Sequence, residues 1–248
     1  MRSAERDALL LFAILLLLAG CSRAPEVRQQ QAFVLGTLVE ITAVDVPEER
    51  FQAGAGAAFR AMRAVHDALT PTRGDNTLAA FNRRAHRAWV PLSEPLTTLL
   101  PRALAVQQAS ANAFNPHLGR LVGLWGFREP PFPQTPPPPG AVDALLSAGA
   151  GSRGLALRRH NGLSARLTAP GATLDLGGIA KGYAVDQAAA ALREHGVTNA
   201  LINAGGDLRA LGKRGDRPWR IGLRHPRDRE QVLAIVPLRP GEAIVTSG

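Results

Sequence analysis

The sequence predicts a fold of mixed β-strands and α-helices, because two hydrophobic periods alternate along its 248 residues. Apolar residues alternate with polar ones over 32–44, which is typical of a half-buried strand, and Gly36 marks a bend within it. Over 50–69 the apolar residues instead recur at helical spacing, so we expect an amphipathic helix that ends near Pro71. Hydrophobic residues make up 46% of the chain and charged residues 20%, which is the balance of a globular protein.

Further elements are predicted from the same periods and from the prolines and glycines between them. Ser93 is expected to cap a helix over 94–111, with Pro101 as a kink. Seven prolines make 129–140 an extended loop. The remaining predictions are short helices over 75–84 and 141–148 and strands over 155–159, 163–168, 219–224 and 231–238.

The best-defined unit begins with a strand over 172–176, which leads through a glycine turn into a helix over 180–195. Gly196 is expected to close this helix in a left-handed conformation. The apolar face of the helix carries small residues, which favours close packing on a sheet. Another strand follows over 197–203, and a strand, a helix and a strand in this order predict a βαβ unit.

The N-terminal residues are typical of a bacterial lipoprotein. An apolar run over 8–19 is too short to span a bilayer but has the length of a signal-peptide core. Cys21, the only cysteine, follows Leu-Ala-Gly, which resembles a lipobox. We expect Cys21 to be lipidated and to hold the chain at a bacterial membrane, on the periplasmic side. The alternatives are a plain secretory signal with an incidental cysteine or a short buried helix. The predicted organisation is a lipoprotein signal peptide over 1–20, a tether over 21–31 and one domain over 32–248.

The charge of the chain bears on its possible ligands. It carries 29 basic and 20 acidic residues, a formal net charge of +9, and only Lys181 and Lys213 are lysines. The arginines are scattered and aromatic residues make up 5% of the chain, so a basic face with stacking platforms is not expected. The sequence therefore argues against nucleic-acid binding, whereas an anionic small molecule is compatible with it.

A candidate anion site lies between Asp175 and Lys181. A carboxylate, two glycines, the start of a helix and a lysine come together there. Free backbone N–H groups and the positive end of the helix dipole favour a phosphate at such a position. The alternative is a tight turn whose lysine lies in solvent.

Other motifs give weaker signals. A second glycine turn with a carboxylate runs from Asn203 to Asp207, and Trp125 and Phe127 are interpreted as core packing more readily than as a ring-stacking site. The P-loop pattern, G-x-S-x-G and H-E-x-x-H are absent. The histidines are dispersed, so neither a zinc enzyme nor a Ser/His/Asp enzyme is expected.

Several blocks in register resemble the FAD:protein FMN transferases, the ApbE-type flavin transferases. The blocks are LGT at 35–37, AFNP at 113–116, LVGLWGF at 121–127, LDLGGIAKGYAVD at 174–186, LINAGGDLRALG at 201–212 and TSG at 246–248. The resemblance implies an α+β fold that binds FAD in a cleft, with the DLGGIAKG turn on the βαβ-like unit and Mg²⁺ beside the phosphates. It implies transfer of FMN from FAD to a threonine hydroxyl of a membrane redox subunit, with release of AMP.

The resemblance also implies roles for individual residues. The backbone carbonyl of Gly178 is expected to bind the metal, and the residues expected to contact FAD are Leu35, Ala113, Phe114, Asn115, Asp175 and Lys181. Asn115 and Leu35 stand where the family usually has Asp and Met, and Thr72 stands where it commonly has Tyr.

The family pattern continues after the TSG block with an H-x-I-x-D-P-x-T-G segment and a D-x-x-x-T element. These 248 residues lack both, so we expect the C-terminal part of the transferase domain to be missing. The catalytic base and the carboxylate metal ligands are therefore not assigned, and the chain as written is not expected to transfer FMN.

Two alternative functions use the same site. With water as the acceptor, the protein would be an FAD pyrophosphatase that releases FMN and AMP. Without catalysis, it would be a flavin-binding maturation lipoprotein, which the altered Thr72 and Asn115 would suit.

Overall fold

The computed structural model describes residues 25–70, 74–127, 131–228 and 230–246. The predicted signal peptide, Cys21 and Thr72 lie outside these ranges. In chain order, the elements are β1 (Val27–Val34), β2 (Thr37–Val44), α1 (Glu48–Leu69), α2 (Thr77–Arg84), β3 (Val90–Pro91), α3 (Leu96–Ala109), α4 (Gly119–Leu124), α5 (Ala141–Ser147), β4 (Leu155–Arg159), β5 (Leu163–Leu167), α6 (Gly177–Glu194), β6 (Ala200–Ala204), β7 (Asp207–Leu211), β8 (Trp219–Arg224), β9 (Val232–Leu238) and β10 (Ala243–Val245). None of the described helices has the length and apolarity needed to cross a bilayer.

An antiparallel five-stranded sheet forms the frame of the fold. Its strand order is β1-β2-β6-β7-β10, and every neighbouring pair is antiparallel. A smaller sheet has the order β3-β5-β4, and β8 pairs with β9. Side chains of β2 and β6 share one buried core with α1 and α6. Helices packed against antiparallel strands make the α+β class that the sequence predicts.

Helix α1 lies close to helix α6 because their buried faces carry small residues. These are Gly54, Ala55 and Ala58 in α1 and Ala184, Ala188 and Ala189 in α6. A Cβ atom at Gly54 would lie 3.0 Å from Cγ2 of Val197 and 3.3 Å from Cβ of His195, so any side chain there would require these neighbours to shift. Gly54, in the first half of α1, thus meets the end of α6, and the two helices run antiparallel.

Two-residue turns of one type close the β1–β2 and β6–β7 hairpins. Leu35 and Gly36 have φ angles of 58° and 71°, and Gly205 and Gly206 have φ angles of 61° and 98°. A left-handed φ at both central residues defines the type I′ turn, which suits the twist of a hairpin. A Cβ atom at Gly205 would lie 2.2 Å from Oγ1 of Thr37, so the two hairpin tips are in contact.

The N-terminal strand begins earlier than predicted. Residues 27–31, predicted as part of the tether, form the first part of β1, and the single strand predicted over 32–44 is a hairpin that turns at Leu35 and Gly36. Strand β1 lies at the edge of the sheet, and its side chains alternate between exposed and half-buried before Val34. A strand at the edge of a sheet need not alternate apolar and polar residues. The polar run Gln29–Gln31 therefore gave no sign of a strand in the sequence.

The prediction of a strand over 172–176, and with it a parallel βαβ unit, is wrong. Strand β6 pairs antiparallel with β2 and β7, and 172–176 joins neither. Instead, the N–H of Leu174 donates to Oδ1 of Asn82 at 2.9 Å, and its C=O accepts from Nδ2 of Asn82 at 3.0 Å. The N–H of Asp175 donates to the C=O of Pro116 at 2.9 Å. The Asn82 amide therefore takes the place of a neighbouring strand at Leu174, and a single bridge between Leu118 and Thr173 is the only strand-like pairing of this segment among the described residues.

The helix boundaries agree with most predictions. Helix α6 begins at Gly177 rather than at residue 180, so Gly177 and Gly178 form its first turn. Gly196 follows it with a φ of 71°, which confirms the predicted cap. Pro101 lies within α3 as expected, but α3 has no side-chain cap, so the capping role of Ser93 is wrong. The remaining predicted helices and strands occur within a few residues of their expected bounds.

We expect Asn82→Ala to destabilise the protein, because the backbone N–H and C=O of the buried Leu174 both lose their partner. A buried polar group without a partner costs about 1–3 kcal/mol, so the free energy of unfolding is expected to fall by about 2–4 kcal/mol. Urea unfolding followed by circular dichroism measures this change. Asn82→Asp keeps the acceptor but turns a carboxylate oxygen towards the C=O of Leu174, so it is also expected to destabilise the protein. A change below about 0.5 kcal/mol in Asn82→Ala, as at an ordinary surface position, would contradict this role.

Candidate functional site

A cleft of about 420 Å³ opens where four parts of the fold meet. It is lined by the β1–β2 turn, the last turns of α1, the α4 region and the first turn of α6. Leu35, Asp175 and Lys181, which the family resemblance assigns to FAD, all line it. The fold therefore brings Leu35 to the same cavity as Asp175 and Lys181, which lie about 140 positions further along the chain, as the resemblance implies.

The first turn of α6 provides the electropositive wall of this cleft. Oδ1 of Asp175 accepts a hydrogen bond from the N–H of Gly177 at 2.9 Å, and the N–H groups of Ile179 and Ala180 donate to the C=O of Leu176. Among the described residues, the N–H of the exposed Gly178 has no hydrogen-bond partner in this turn. The helix dipole and this N–H favour an anion at that point.

Lys181 lies on the next turn of α6 and does not simply extend into solvent. Its Nζ is 3.9 Å from Oδ1 of Asp207, and the Lys181 and Asp207 side chains are 37% and 19% exposed. This separation is longer than a hydrogen bond, so the ammonium group is held near the cleft without being fixed to the carboxylate. The carboxylate of Asp207, which follows the second glycine turn, thus lies near the Lys181 ammonium group. The sequence alone assigns no role to this turn.

Oxygen donors near Lys181 offer only part of a site for a hard dication. The described residues contain no group of three or more His, Cys, Asp or Glu side chains that converge as metal ligands. Asp175 already accepts a hydrogen bond, and Asp207 faces an ammonium group. Mg²⁺ is commonly bound by one or two carboxylates together with substrate phosphates. The donors present fit that pattern but do not complete an octahedral set.

The segment 113–115 lies beside the cleft, and its three side chains have different surroundings. The ring of Phe114 lies against Gly178, where a Cβ atom would be 3.2 Å from the ring. Asn115 is turned inwards: its Nδ2 donates to the C=O of Gly151 at 2.8 Å, and its Oδ1 accepts from the N–H of His117 at 2.9 Å. Ala113 is exposed. None of these three residues lines the cleft, and neither does Gly178, although its neighbour Gly177 does.

His117 is a fully buried histidine that the sequence analysis did not single out. Burial lowers the pKa of its imidazole, so the ring is neutral near pH 7. Its Nδ1 lies 3.1 Å from Oδ1 of Asn115, and its Nε2 accepts from the N–H of Gly154 at 3.5 Å. The buried Gln107 contacts both His117 and Asn115 through its Nε2. The Asn115 side chain therefore faces the interior, where these two polar side chains lie.

Two further side chains line the cleft: His66, which sequence reasoning did not single out, and Phe127, for which ring stacking was the less favoured interpretation. His66, in the last turn of α1, lines the cleft next to Thr70, whose Oγ1 is 3.1 Å from its Nδ1. Phe127 lines the cleft and is 60% exposed, so its interpretation as core packing is wrong. Local sequence carries no signal for either residue, because only the tertiary packing of α1, α4 and α6 brings them to the cleft.

Comparison with known proteins gives relatives of this chain along most of its length. An FAD:protein FMN transferase from Rhodobacter capsulatus is 35% identical over 255 residues, which cover 100% of this chain and 47% of that protein. An FAD:protein FMN transferase from Treponema pallidum is 32% identical over 256 residues, which cover 96% of this chain and 69% of the relative. The chain thus spans about half the length of the first relative and about two thirds of the second.

Solved structures share the fold. The ApbE protein of Thermotoga maritima superposes with a TM-score of 0.77 and 29% identity, over 90% of this chain and 71% of that one. The flavin transferase ApbE from Vibrio cholerae gives the same TM-score with 26% identity, over 90% of this chain and 72% of that one. The family model described as ApbE family matches residues 35–248. The chain therefore belongs to the ApbE family.

Proposed function

We propose that this chain forms the FAD-binding part of an FAD:protein FMN transferase. The observation that supports this most directly is the cleft at the start of α6, where Leu35, Asp175 and Lys181 come together. Its relatives carry the name of this activity. The acceptor is a threonine hydroxyl of a redox protein at the membrane, and the leaving group is AMP.

The proposed reaction is a phosphoryl transfer. The threonine oxygen attacks the phosphorus of the FMN half of FAD, the bond between that phosphorus and the bridging oxygen breaks, and AMP leaves with the electron pair. The hydroxyl proton passes to a base, which the described residues do not identify. In this chain, the Gly178 N–H and Lys181 Nζ would bind pyrophosphate oxygens and stabilise the charge that develops on them.

A divalent cation belongs to this proposal as a partner of the phosphates. Mg²⁺ would neutralise pyrophosphate charge. From this chain, the resemblance implies the carbonyl of Gly178 as a ligand, and further oxygen ligands are needed to complete the site.

A flavin-transfer assay distinguishes the transferase from its two alternatives. The chain, extended by the two C-terminal elements of the family pattern, is incubated with FAD, Mg²⁺ and an acceptor peptide that contains threonine. We expect a fluorescent peptide band in the gel and one AMP released per peptide labelled, and a Thr→Val peptide should stay unlabelled. Free FMN and AMP without a labelled peptide would instead indicate a pyrophosphatase. FAD retained without AMP release would indicate a binding protein.

We expect Lys181→Ala to weaken FAD binding while leaving the fold intact, because the side chain is partly exposed and lines the cleft. A hydrogen bond to a charged group contributes about 1.5–3 kcal/mol, so the Kd for FAD should rise about tenfold to a hundredfold. Isothermal titration calorimetry measures it. Lys213→Ala removes the only other lysine and is the matched control, since Lys213 does not line the cleft. Equal FAD affinity in both variants would contradict the assignment of Lys181.

We further propose that Cys21 carries a lipid anchor that holds the domain at a bacterial membrane, on the periplasmic side. The support is the lipobox-like sequence and the apolar run before it. Cys21→Ser is expected to move the protein from the membrane fraction to the soluble fraction, or to leave the leader uncleaved, because the acyl chains are lost. Cell fractionation and mass spectrometry of the N-terminus measure both. A fully cleaved variant that stays in the membrane fraction would show that something other than Cys21 anchors the protein.

A further inference from the structure

We propose that Trp125 and Phe127 form a stacking platform for a planar ring of the dinucleotide, an inference that rests on the proposed function. Their ring centroids are 5.7 Å apart and their planes differ by 20°, so the two rings are stacked. Phe127 is 60% exposed and Trp125 is 37% exposed. Phe127 lines the same cleft as Asp175 and Lys181. Phe127 therefore lies partly in solvent beside the residues that would bind the pyrophosphate, and Trp125, which does not itself line the cleft, stacks against it.

The backbone directs Phe127 into the cleft through a Schellman motif at the end of α4. The N–H of Phe127 donates to the C=O of Val122 at 3.3 Å, and the N–H of Gly126 donates to the C=O of Gly123 at 3.2 Å. Gly126 has a φ of 67°, the left-handed conformation that this motif requires. The motif brings the residue after the glycine back towards Val122, and both Val122 and Phe127 line the cleft.

The proline-rich segment supports this turn. A Cβ atom at Gly126 would lie 2.5 Å from Cγ of Pro133, so the ring of Pro133 packs directly on the glycine. The turn that carries the two aromatic rings is therefore packed against the proline-rich segment. The platform is therefore held in place before a ligand binds, which reduces the entropy cost of binding.

The lining of the cleft matches a ligand with both a planar ring and a charged group. Leu35, Val65 and Val122 contribute apolar surface, and Asp175 and Lys181 contribute charge. Aromatic rings stack on planar bases without reading their hydrogen-bonding edges. The platform would thus fix the position of a ring while Lys181 holds the phosphates. FAD carries two such rings, isoalloxazine and adenine, and stacking on either uses the same chemistry.

The test is the affinity of the full chain for FAD, FMN and AMP, measured by calorimetry with Phe127→Leu, Trp125→Leu and Phe127→Trp. Leucine keeps an apolar side chain but removes the aromatic face. We expect Phe127→Leu to weaken FAD binding about tenfold to a hundredfold and Trp125→Leu to weaken it less. Phe127→Trp restores an aromatic face and should stay within about threefold of the unmodified protein. Phe132→Leu is the matched control, since Phe132 is 52% exposed and does not line the cleft.

The single-ring ligands identify which ring stacks. A loss of affinity for FMN with AMP unchanged assigns the isoalloxazine ring, and the reverse assigns adenine; either result supports the platform. Unchanged affinity of Phe127→Leu for all three ligands, while Lys181→Ala still weakens FAD binding, overturns the platform and leaves the proposed function in place. Absence of FAD binding by the unmodified chain overturns the proposed function and this inference together.

Discussion

The close packing of α1 against α6 is the constraint on which the site depends. Small residues on both helices allow this approach, and Gly54 meets Val197 and His195 so closely that a side chain there would require them to shift. Because the helices run antiparallel, the same contact brings the end of α1 to the beginning of α6. His66 thereby faces the turn that carries Asp175, and a cleft forms between them. Helix axes lie 8–10 Å apart in most proteins, depending on the side chains between them, so larger residues would widen this cleft at its base.

The hairpin tips complete the cleft from the side of the sheet. The contact between Gly205 and Thr37 ties the β6–β7 turn to the β1–β2 turn, so Leu35 and Asp207 have fixed positions relative to each other. Leu35 adopts a left-handed φ of 58°, which is uncommon for a residue with a large side chain. Such conformations persist where the surroundings determine them, and they occur often at ligand sites. The strained residue here lines the candidate site.

Local patterns predicted much of this fold, and the errors have a physical cause. Helical periodicity over 50–69 and the glycine at 196 predicted α1 and the end of α6 well. The residues 172–176 have a strand pattern, but none of the described strands pairs with them. The partner of Leu174 is the Asn82 side chain, 92 positions away, and Thr173 and Asp175 bond to the backbone of Gly119 and Pro116. The local sequence of such a segment predicts an extended backbone. It does not indicate which group forms hydrogen bonds with that backbone. The same limit explains Phe127: an aromatic residue in a turn has the same local signal whether it packs in a core or lines a cleft.

The interface between α6 and β7 shows why a lysine suits position 181 in a chain rich in arginine. Farther along the same two elements, Asp186 of α6 contacts Nη1 of Arg209 of β7 directly. Arg209 reaches the carboxylate through Nη1 alone, and its buried Nε has no partner among the described residues, so this pair joins the helix to the strand through a single charged contact. In the second pair the charges are exchanged: the cation, Lys181, is on α6 and the carboxylate, Asp207, is on β7. Their charged atoms are 3.9 Å apart. A compact ammonium on a flexible stem can turn from Asp207 towards an anion, whereas an arginine there would be held by the carboxylate. One pair thus joins the middle of α6 to β7, and the other leaves a positive charge at the start of α6 available to the ligand.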